Sequence, residues 1–133
     1  MNKTKVMVVD DNAEVRLFFK NVLDVLQYDS VLAENGIEAL KIFKDVNPDI
    51  VFFDIKMPFI DGLEILSRMR HLDDNKRIPI IMITGYHDQA ITSKVIKLGA
   101  FDYISKPIDF DDIKSLCEKA EHIFEKVNVN CEV

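Results

Sequence analysis

Cysteine, excess basic charge and long apolar runs are all scarce in this sequence, and each scarcity excludes a class of protein. The 133 residues include two cysteines, Cys117 and Cys131, which fit neither a disulfide framework nor a zinc site. A reducing compartment is the simplest interpretation, so we expect a cytoplasmic protein. The formal net charge is −6, whereas binding to nucleic acid needs a basic face. We therefore expect no nucleic-acid partner.

Apolar residues make up 48% of the chain but never form a run long enough to cross a bilayer. No stretch approaches the roughly 18 consecutive apolar residues of a membrane span, so we expect no membrane partner. The first apolar run, Val6–Val9, is too short for a signal peptide. A chain of this length can bury a core of ordinary size, and the composition predicts one globular domain.

Short apolar runs alternate with helical periodicity along the whole chain. The runs have the length and the β-branched content of buried strands. They are Val6–Val9, Ser30–Ala33, Ile50–Phe53, Ile78–Ile83 and Phe101–Ile104. In the segment after each run, apolar residues recur every three or four positions, which predicts five amphipathic helices. The apolar stripe of the first helix consists of Val15, Phe18, Phe19, Val22 and Leu26.

Polar residues at the predicted helix ends support these positions. Three helices are preceded by a capping residue that an acid follows three positions later, which is the pattern of a capping box. The three pairs are Asn35 with Glu38, Asp61 with Glu64, and Asp109 with Asp112. Asn47-Pro48 and Gly99 stand where the second and fourth helices should end.

Five strands that alternate with five helices predict an α/β fold, a (βα)5 doubly wound parallel sheet. Right-handed crossovers leave few strand orders, and the flavodoxin-like order 2-1-3-4-5 is the one expected at this length. In that order the winding direction reverses between strands 1 and 3. A crevice that can bind a ligand therefore opens at the carboxyl ends of these two strands.

Three aspartates follow the two strands that border the predicted crevice. Asp10 and Asp11 come after strand 1, and Asp54 comes after strand 3. Asp11, which Glu14 follows, also fits a capping box for the first helix, and Asp54 alone could be a turn residue. Two carboxylates about 4 Å apart repel by about 4 kcal/mol at an effective dielectric constant of about 20. A cluster of three needs protons, a lysine or a divalent cation; Mg²⁺, which keeps several waters and takes phosphate oxygens, fits best.

Two further polar residues end strands on the same edge of the predicted sheet. Thr84 ends the fourth strand and Lys106 follows the fifth. Taken singly, Thr84 could be a turn residue and Lys106 a solvated surface charge. Together with the aspartates they suit a phosphoryl group, because a lysine supplies countercharge and a hydroxyl can hold a phosphoryl oxygen.

The sequence as a whole resembles the receiver domain of response regulators, the CheY-like superfamily of two-component signalling. The matching motifs are "VVDDN", "VFFDIKMPFIDGLEIL", "IIMITGY" and "GAFDYISKP". The resemblance covers residues 4 to about 125, and it implies a receiver domain over residues 1–126. We expect residues 127–133 to form a frayed tail. One departure is Phe59, where many family members carry a glycine.

The resemblance implies a role for each residue of the site. Asp54 would be the phosphoacceptor. Asp11, Asp54 and the main-chain carbonyl of Lys56 would bind Mg²⁺, with Asp10 assisting through a water molecule. Thr84 and Lys106 would contact the phosphoryl oxygens during the transfer.

The resemblance also implies a switch and a control of lifetime. Tyr103 would move inward when Thr84 moves, and the peptide bond between Lys106 and Pro107 would be cis. Lys56 and Tyr86 would flank the path of the water that removes the phosphoryl group. Tuning of self-dephosphorylation is therefore expected at these two positions.

The implied function is a phosphoacceptor in a two-component or phosphorelay system. The donor would be a sensor histidine kinase or a histidine phosphotransferase, and the recipient a downstream protein or a fused output domain. The chain would be no enzyme beyond catalysing its own phosphorylation and slow dephosphorylation. Whether it is a stand-alone receiver or part of a longer regulator stays open.

Two other classes of protein share parts of this pattern. A magnesium-dependent phosphatase of the haloacid-dehalogenase type also forms an aspartyl phosphate, but it needs the motif D-x-D where this chain has Asp10, Asp11 and Asn12. A cap domain would not fit in this length either. A flavin carrier on the same fold would need a phosphate-binding loop, and an acidic crevice would repel the phosphate.

Overall fold

A computed structural model describes residues 3–57, 60–73, 78–85 and 89–131, where a five-stranded parallel sheet is covered by helices on both faces. The strands are β1 Lys5–Val9, β2 Asp29–Ala33, β3 Ile50–Asp54, β4 Ile80–Thr84 and β5 Asp102–Ser105. The helices are α1 Ala13–Val25, α2 Gly36–Val46, α3 Gly62–Leu72, α4 Gln89–Lys97 and α5 Phe110–Cys131. The predicted fold and the strand order β2-β1-β3-β4-β5 are confirmed. Lys56–Met57 and Ile60–Asp61 add a short antiparallel pair.

The core has two halves, one on each face of the sheet. Successive strand residues point to opposite faces, so Met7 and Val9 pack on the side of α2, α3 and α4. Val6 and Val8 pack on the side of α1 and α5. Because β1, β3 and β4 are buried on both faces, their residues read as unbroken apolar runs.

The stripe of α1 differs from the prediction by one position. Phe18 is 40% exposed, whereas Leu23 is fully buried beside Phe19 and Val22. A spacing of three or four fits more than one set of neighbours around a helix, and contact with the sheet selects among them. The prediction for Phe18 was therefore wrong.

The fourth strand begins two residues later than the apolar run predicts. The N–H of Ile78 donates to the carboxylate of Asp73 at 2.7 Å, and Pro79 has no N–H to donate. The Pro79 carbonyl does accept from the N–H of Val51 at 2.9 Å. Regular pairing with β3 therefore starts at Ile80.

The helix ends follow the predicted signals in four places. Asn35 Oδ1 accepts from the N–H of Glu38 at 2.8 Å, and Asp109 and Asp112 accept from each other's N–H groups at 2.8 and 3.0 Å. After α2 and α4, Asn47 and Gly99 adopt positive φ angles of 50° and 105°, which end a helix.

The last helix extends further than the apolar pattern suggests. α5 runs through Cys131, whereas a frayed tail is expected from residue 127. The segment contains no glycine or proline that would stop a helix, so helical hydrogen bonding can continue past the last packed residues. The domain boundary at residue 126 stays a prediction. Across the described ranges, no helix has the length and apolar character needed to span a membrane.

Candidate functional site

The three aspartates of the predicted crevice lie together. One carboxylate oxygen from each of Asp10, Asp11 and Asp54 lies within 4.8 Å of those of the other two. The reason is the register of the sheet, which pairs Val9 of β1 with Phe53 of β3. The residues that follow this pair therefore arrive at one point. Asp10 and Asp54 are buried and Asp11 is exposed, so the cluster opens to solvent on one side.

Lys106 provides the positive charge inside this cluster. Its Nζ atom lies 3.1 Å from Asp54 Oδ2 and 3.6 Å from Asp10 Oδ2. Burial by itself lowers the pKa of Lys106, but the hydrogen bond and charge of Asp54 and the charge of Asp10 outweigh it, so the pKa is raised. The N–H of Lys106 donates to the Thr84 carbonyl at 2.9 Å, which fixes the loop after β5 to the end of β4. The Lys106–Pro107 peptide bond is cis.

Asp10 is the fully buried member of the cluster. Its Oδ1 atom accepts from the N–H of Asn12 at 2.9 Å, while Oδ2 has no hydrogen-bond partner within the described part of the chain. The pKa of Asp10 is raised to about 6, mainly by burial and also by the charges of Asp54 and Asp11, while the Asn12 hydrogen bond and the charge of Lys106 act to lower it. One lysine thus does not balance three carboxylates, and an oxygen with an ion pair but no hydrogen bond suits a hydrated divalent cation with oxygen ligands.

Asn12, not Asp11, caps the first helix. Asn12 Oδ1 accepts from the N–H groups of Glu14 and Val15 at 2.8 and 3.4 Å. The interpretation of Asp11 as a helix cap is therefore wrong, because the residue after it already fills that position. Asp11 is left available as a ligand in the crevice.

The other predicted site residues lie on the same edge or outside the described residues. Thr84 is buried at the end of β4. Tyr103 lies on β5, half-buried, and packs against the core half that contains α4. Lys56 begins the short strand two residues after Asp54, but its side chain is not described. Tyr86 and Phe59 lie outside the described residues.

An open, mostly apolar groove borders Lys106. It has a volume of about 520 Å³ and lies between α1 and the loop after β5. Phe18, which the helical pattern assigns to the core, lines it together with Val15 and Ile108. The apolar wall next to the charged cluster offers a contact surface for another molecule that approaches the site.

Two polar contacts of the site are not evident from the sequence patterns. Asn12 positions Asp10 through its N–H, and Arg16 donates from Nη1 to the Asp10 carbonyl at 2.7 Å. The only signal in the sequence is that Asn12 and Arg16 are four positions apart, which places both on the same side of the start of α1.

Comparisons with known proteins agree with this geometry. Residues 6–118 match the family model described as the response regulator receiver domain. The chain is 35% identical over 119 residues to sporulation initiation phosphotransferase F of Bacillus subtilis, a match that covers 90% of this chain and 94% of that protein. It is 38% identical over 117 residues to the chemotaxis protein CheY of Listeria monocytogenes, covering 87% and 97%.

A solved receiver-domain structure has the same architecture. The CheY-like response regulator receiver domain protein from Methanospirillum hungatei superposes with a TM-score of 0.85 at 27% identity, covering 94% of this chain and 98% of that one. This chain belongs to the response regulator receiver domain family, which is a family of signalling domains. The phosphatase alternative is not favoured.

Some relatives are much longer than this chain. It matches 25% of the length of the regulatory protein AtoC of Escherichia coli and 53% of the probable transcriptional regulator ycf27 of Porphyridium aerugineum. The activities and partners of those whole proteins therefore belong to proposals.

Proposed function

We propose that this receiver domain accepts a phosphoryl group on Asp54, with Mg²⁺ as its cofactor, in a two-component or phosphorelay pathway. The observation that carries this is the buried Asp54 carboxylate at the end of β3, which meets Lys106 Nζ at 3.1 Å inside a cluster of three carboxylates. Asp11, Asp54 and the Lys56 carbonyl would hold the ion, with Asp10 acting through water. When bound, Mg²⁺ neutralises charge on the phosphoryl oxygens.

The residues of the chain then perform an in-line transfer. An oxygen of Asp54 attacks the phosphorus atom of a phosphohistidine, the P–N bond breaks, and the released imidazole takes a proton from solvent. The transition state is loose, so position and charge dominate the catalysis. Lys106 and the Thr84 hydroxyl hold phosphoryl oxygens, and the rigid strand under Asp54 aims its carboxylate.

The expected partners follow from this chemistry. The donor is the phosphohistidine of a sensor kinase or a phosphotransferase, and it reaches Asp54 past the apolar groove beside Lys106. The recipient of the signal is a downstream protein or a fused output domain. Such pathways operate in the cytoplasm, where we place the chain.

Phosphorylation by a small acyl-phosphate donor tests the proposal. With Mg²⁺ the wild type should gain the mass of one phosphoryl group, and Asp54→Asn should gain none while it keeps its fold. Asp24→Asn, which changes an aspartate exposed on α1, is the matched control and should behave like the wild type. A gain of equal rate in Asp54→Asn would contradict the assignment. Rapid turnover of the donor without a stable product would favour the phosphatase instead.

A further inference from the structure

The main-chain carbonyl of Asp10 accepts a hydrogen bond from a partly buried arginine, Arg16. We propose that Arg16 is a positioning residue for the metal site, because it fixes the peptide group between the two acids that follow β1. This inference rests on the proposed function, since it assigns to Arg16 an effect on Mg²⁺ binding.

The geometry of Arg16 is specific. Its Nη1 atom donates to the Asp10 carbonyl at 2.7 Å, and its side chain is only 16% exposed. The other arm of the guanidinium group, Nη2, lies 4.0 Å from Glu34, whose side chain is 70% exposed. Exposed pairs at such distances contribute little. The bond to Asp10 is therefore the contact that orients the arginine.

This bond has a direct consequence for Asp11. The carbonyl of Asp10 and the N–H of Asp11 belong to one planar peptide group. Holding the oxygen at one edge of the plane also holds the backbone nitrogen and the Cα atom of Asp11, from which its side chain leaves the backbone. Asp11 itself is exposed, and no hydrogen bond to its carboxylate is found among the described residues. The orientation of this ligand thus depends on its backbone.

Asp10 is held at two points by the first turns of α1. Arg16 binds its carbonyl and the Asn12 N–H binds its carboxylate. Arg16 in turn is set by its helix, where its own N–H donates to the Asn12 carbonyl at 3.1 Å. α1 therefore carries a support for both acids before any ion arrives, and such supports typically change metal affinity 10–100-fold.

Titration with Mg²⁺ alone, followed by the amide signals of Asp10 and Asp11 in NMR spectra, tests the proposal without any phosphodonor. Arg16→Gln should raise the dissociation constant for Mg²⁺ about tenfold. Arg68→Gln is the matched control, because Arg68 is an exposed arginine on α3, and its constant should equal that of the wild type. Asp11→Ala, which removes a proposed ligand, serves as the reference for a protein that has lost Mg²⁺ binding.

A second measurement separates positioning from general stability. The rate of phosphorylation by a small acyl phosphate should become half-maximal at about tenfold higher Mg²⁺ in Arg16→Gln, but reach the wild-type rate at saturation. A purely structural role would lower the melting temperature but leave unchanged both the dissociation constant for Mg²⁺ and the Mg²⁺ concentration at half-maximal rate. That result would overturn the inference. So would a lower saturating rate with an unchanged metal constant.

If Arg16→Gln does not fold, Arg16→Lys takes its place, because lysine keeps the charge but lacks the planar donor group; its metal constant should also rise, and an unchanged one would overturn the inference. A wild type that binds no Mg²⁺ would overturn the proposed function and this inference together. Equal dissociation constants for Mg²⁺ in the wild type and in Arg16→Gln would overturn this inference but leave the proposed function intact.

Discussion

At the scale of single residues, Asp10 is a carboxyl group whose ionisation the fold makes costly. It is fully buried, and its Oδ2 atom lacks a hydrogen-bond partner within the ranges that the structure covers. Burial raises its pKa from 3.8 to about 6, so the folded protein holds this proton more tightly than the unfolded chain does. The resulting stabilisation is fully present below about pH 4 and is lost as the pH rises through about 6.

We therefore expect the metal-free protein to lose this stabilisation as the pH rises from 4 to 7. Between pH 4 and 7, the free energy of unfolding of the wild type should fall relative to Asp10→Asn by about 2 kcal/mol, since a shift of about two pKa units corresponds to about 3 kcal/mol over the whole titration. Denaturant unfolding in the presence of a chelator measures the difference. The neutral variant is the control for all other carboxylates. A difference that does not change with pH would contradict the pKa of Asp10.

The lifetime of the phosphoryl group is a second matter of single residues. We propose that Lys56 and Tyr86 flank the path of the attacking water. A protonated lysine cannot act as a base, and a tyrosine hydroxyl is a poor base at neutral pH, so self-dephosphorylation should be slow.

The double substitution Lys56→Asn and Tyr86→Glu should speed the loss of the phosphoryl group several-fold, because an amide and an acid position and activate water better. Decay of the phosphorylated mass over time measures this. Lys44→Asn, at the far end of α2, is a control that should leave the rate unchanged. An unchanged or slower rate in the double variant would refute control of water access by these side chains.

At the scale of elements, Arg70 joins three parts of the chain. From the last turn of α3, its Nε atom donates to the Gly99 carbonyl at 2.8 Å, and its Nη1 atom lies 3.0 Å from Asp73 Oδ2. The same oxygen accepts from the N–H of Ile78 just before β4. Gly99 has a φ angle of 105°, and a Cβ atom there would lie 3.0 Å from Arg70 Nε. The end of α3, the start of β4 and the turn after α4 thus meet at one ion pair.

Loss of this junction should destabilise the domain. Arg70→Ala leaves the buried Asp73 without its cation, which typically costs about 3 kcal/mol. Arg68→Ala on the same helix breaks an exposed pair with Glu64 and should cost less than about 1 kcal/mol. Urea unfolding of the two variants gives the comparison. Equal losses would mean that the Arg70–Asp73 pair adds nothing beyond a surface contact.

At the scale of the whole molecule, the strands that end at the site also lead into the helices of one face of the domain. Thr84 and Ser105 pair at the ends of β4 and β5, and these strands lead into α4 and α5. Exposed apolar side chains lie on both helices, among them Ile96 and Phe110. We propose that this face, formed by α4, β5 and α5, carries the signal through Thr84 and Tyr103. Phosphorylation would bias an existing equilibrium between two packings.

Changes in amide chemical shifts on phosphorylation should therefore concentrate between about residues 84 and 110. The reason is that Thr84 and Lys106, which are proposed to contact the phosphoryl oxygens, lie near the two ends of this segment. Spectra of the wild type before and after treatment with an acyl phosphate and Mg²⁺ measure the changes, with Asp54→Asn as the control. Shifts confined to residues 12–46 would refute the proposed signalling face.

The sequence by itself determined the order of strands and helices and the acids that meet at one edge of the sheet. Apolar runs and helical stripes are local patterns, and a parallel sheet brings all of its strand ends to one side. This is why Asp10, Asp54 and Lys106 could be placed in one crevice without coordinates.

Only the tertiary structure decided which polar groups bind to each other. Asn12 rather than Asp11 caps α1, the N–H of Ile78 turns to Asp73 instead of the sheet, and Arg70 reaches Gly99, 29 positions along the chain. The last of these contacts joins segments that are remote in sequence, and the first two depend on how the folded backbone orients groups only two and five positions apart. Local pattern sets which face a side chain takes, but a hydrogen bond needs a partner about 3 Å away, and packing alone supplies that distance.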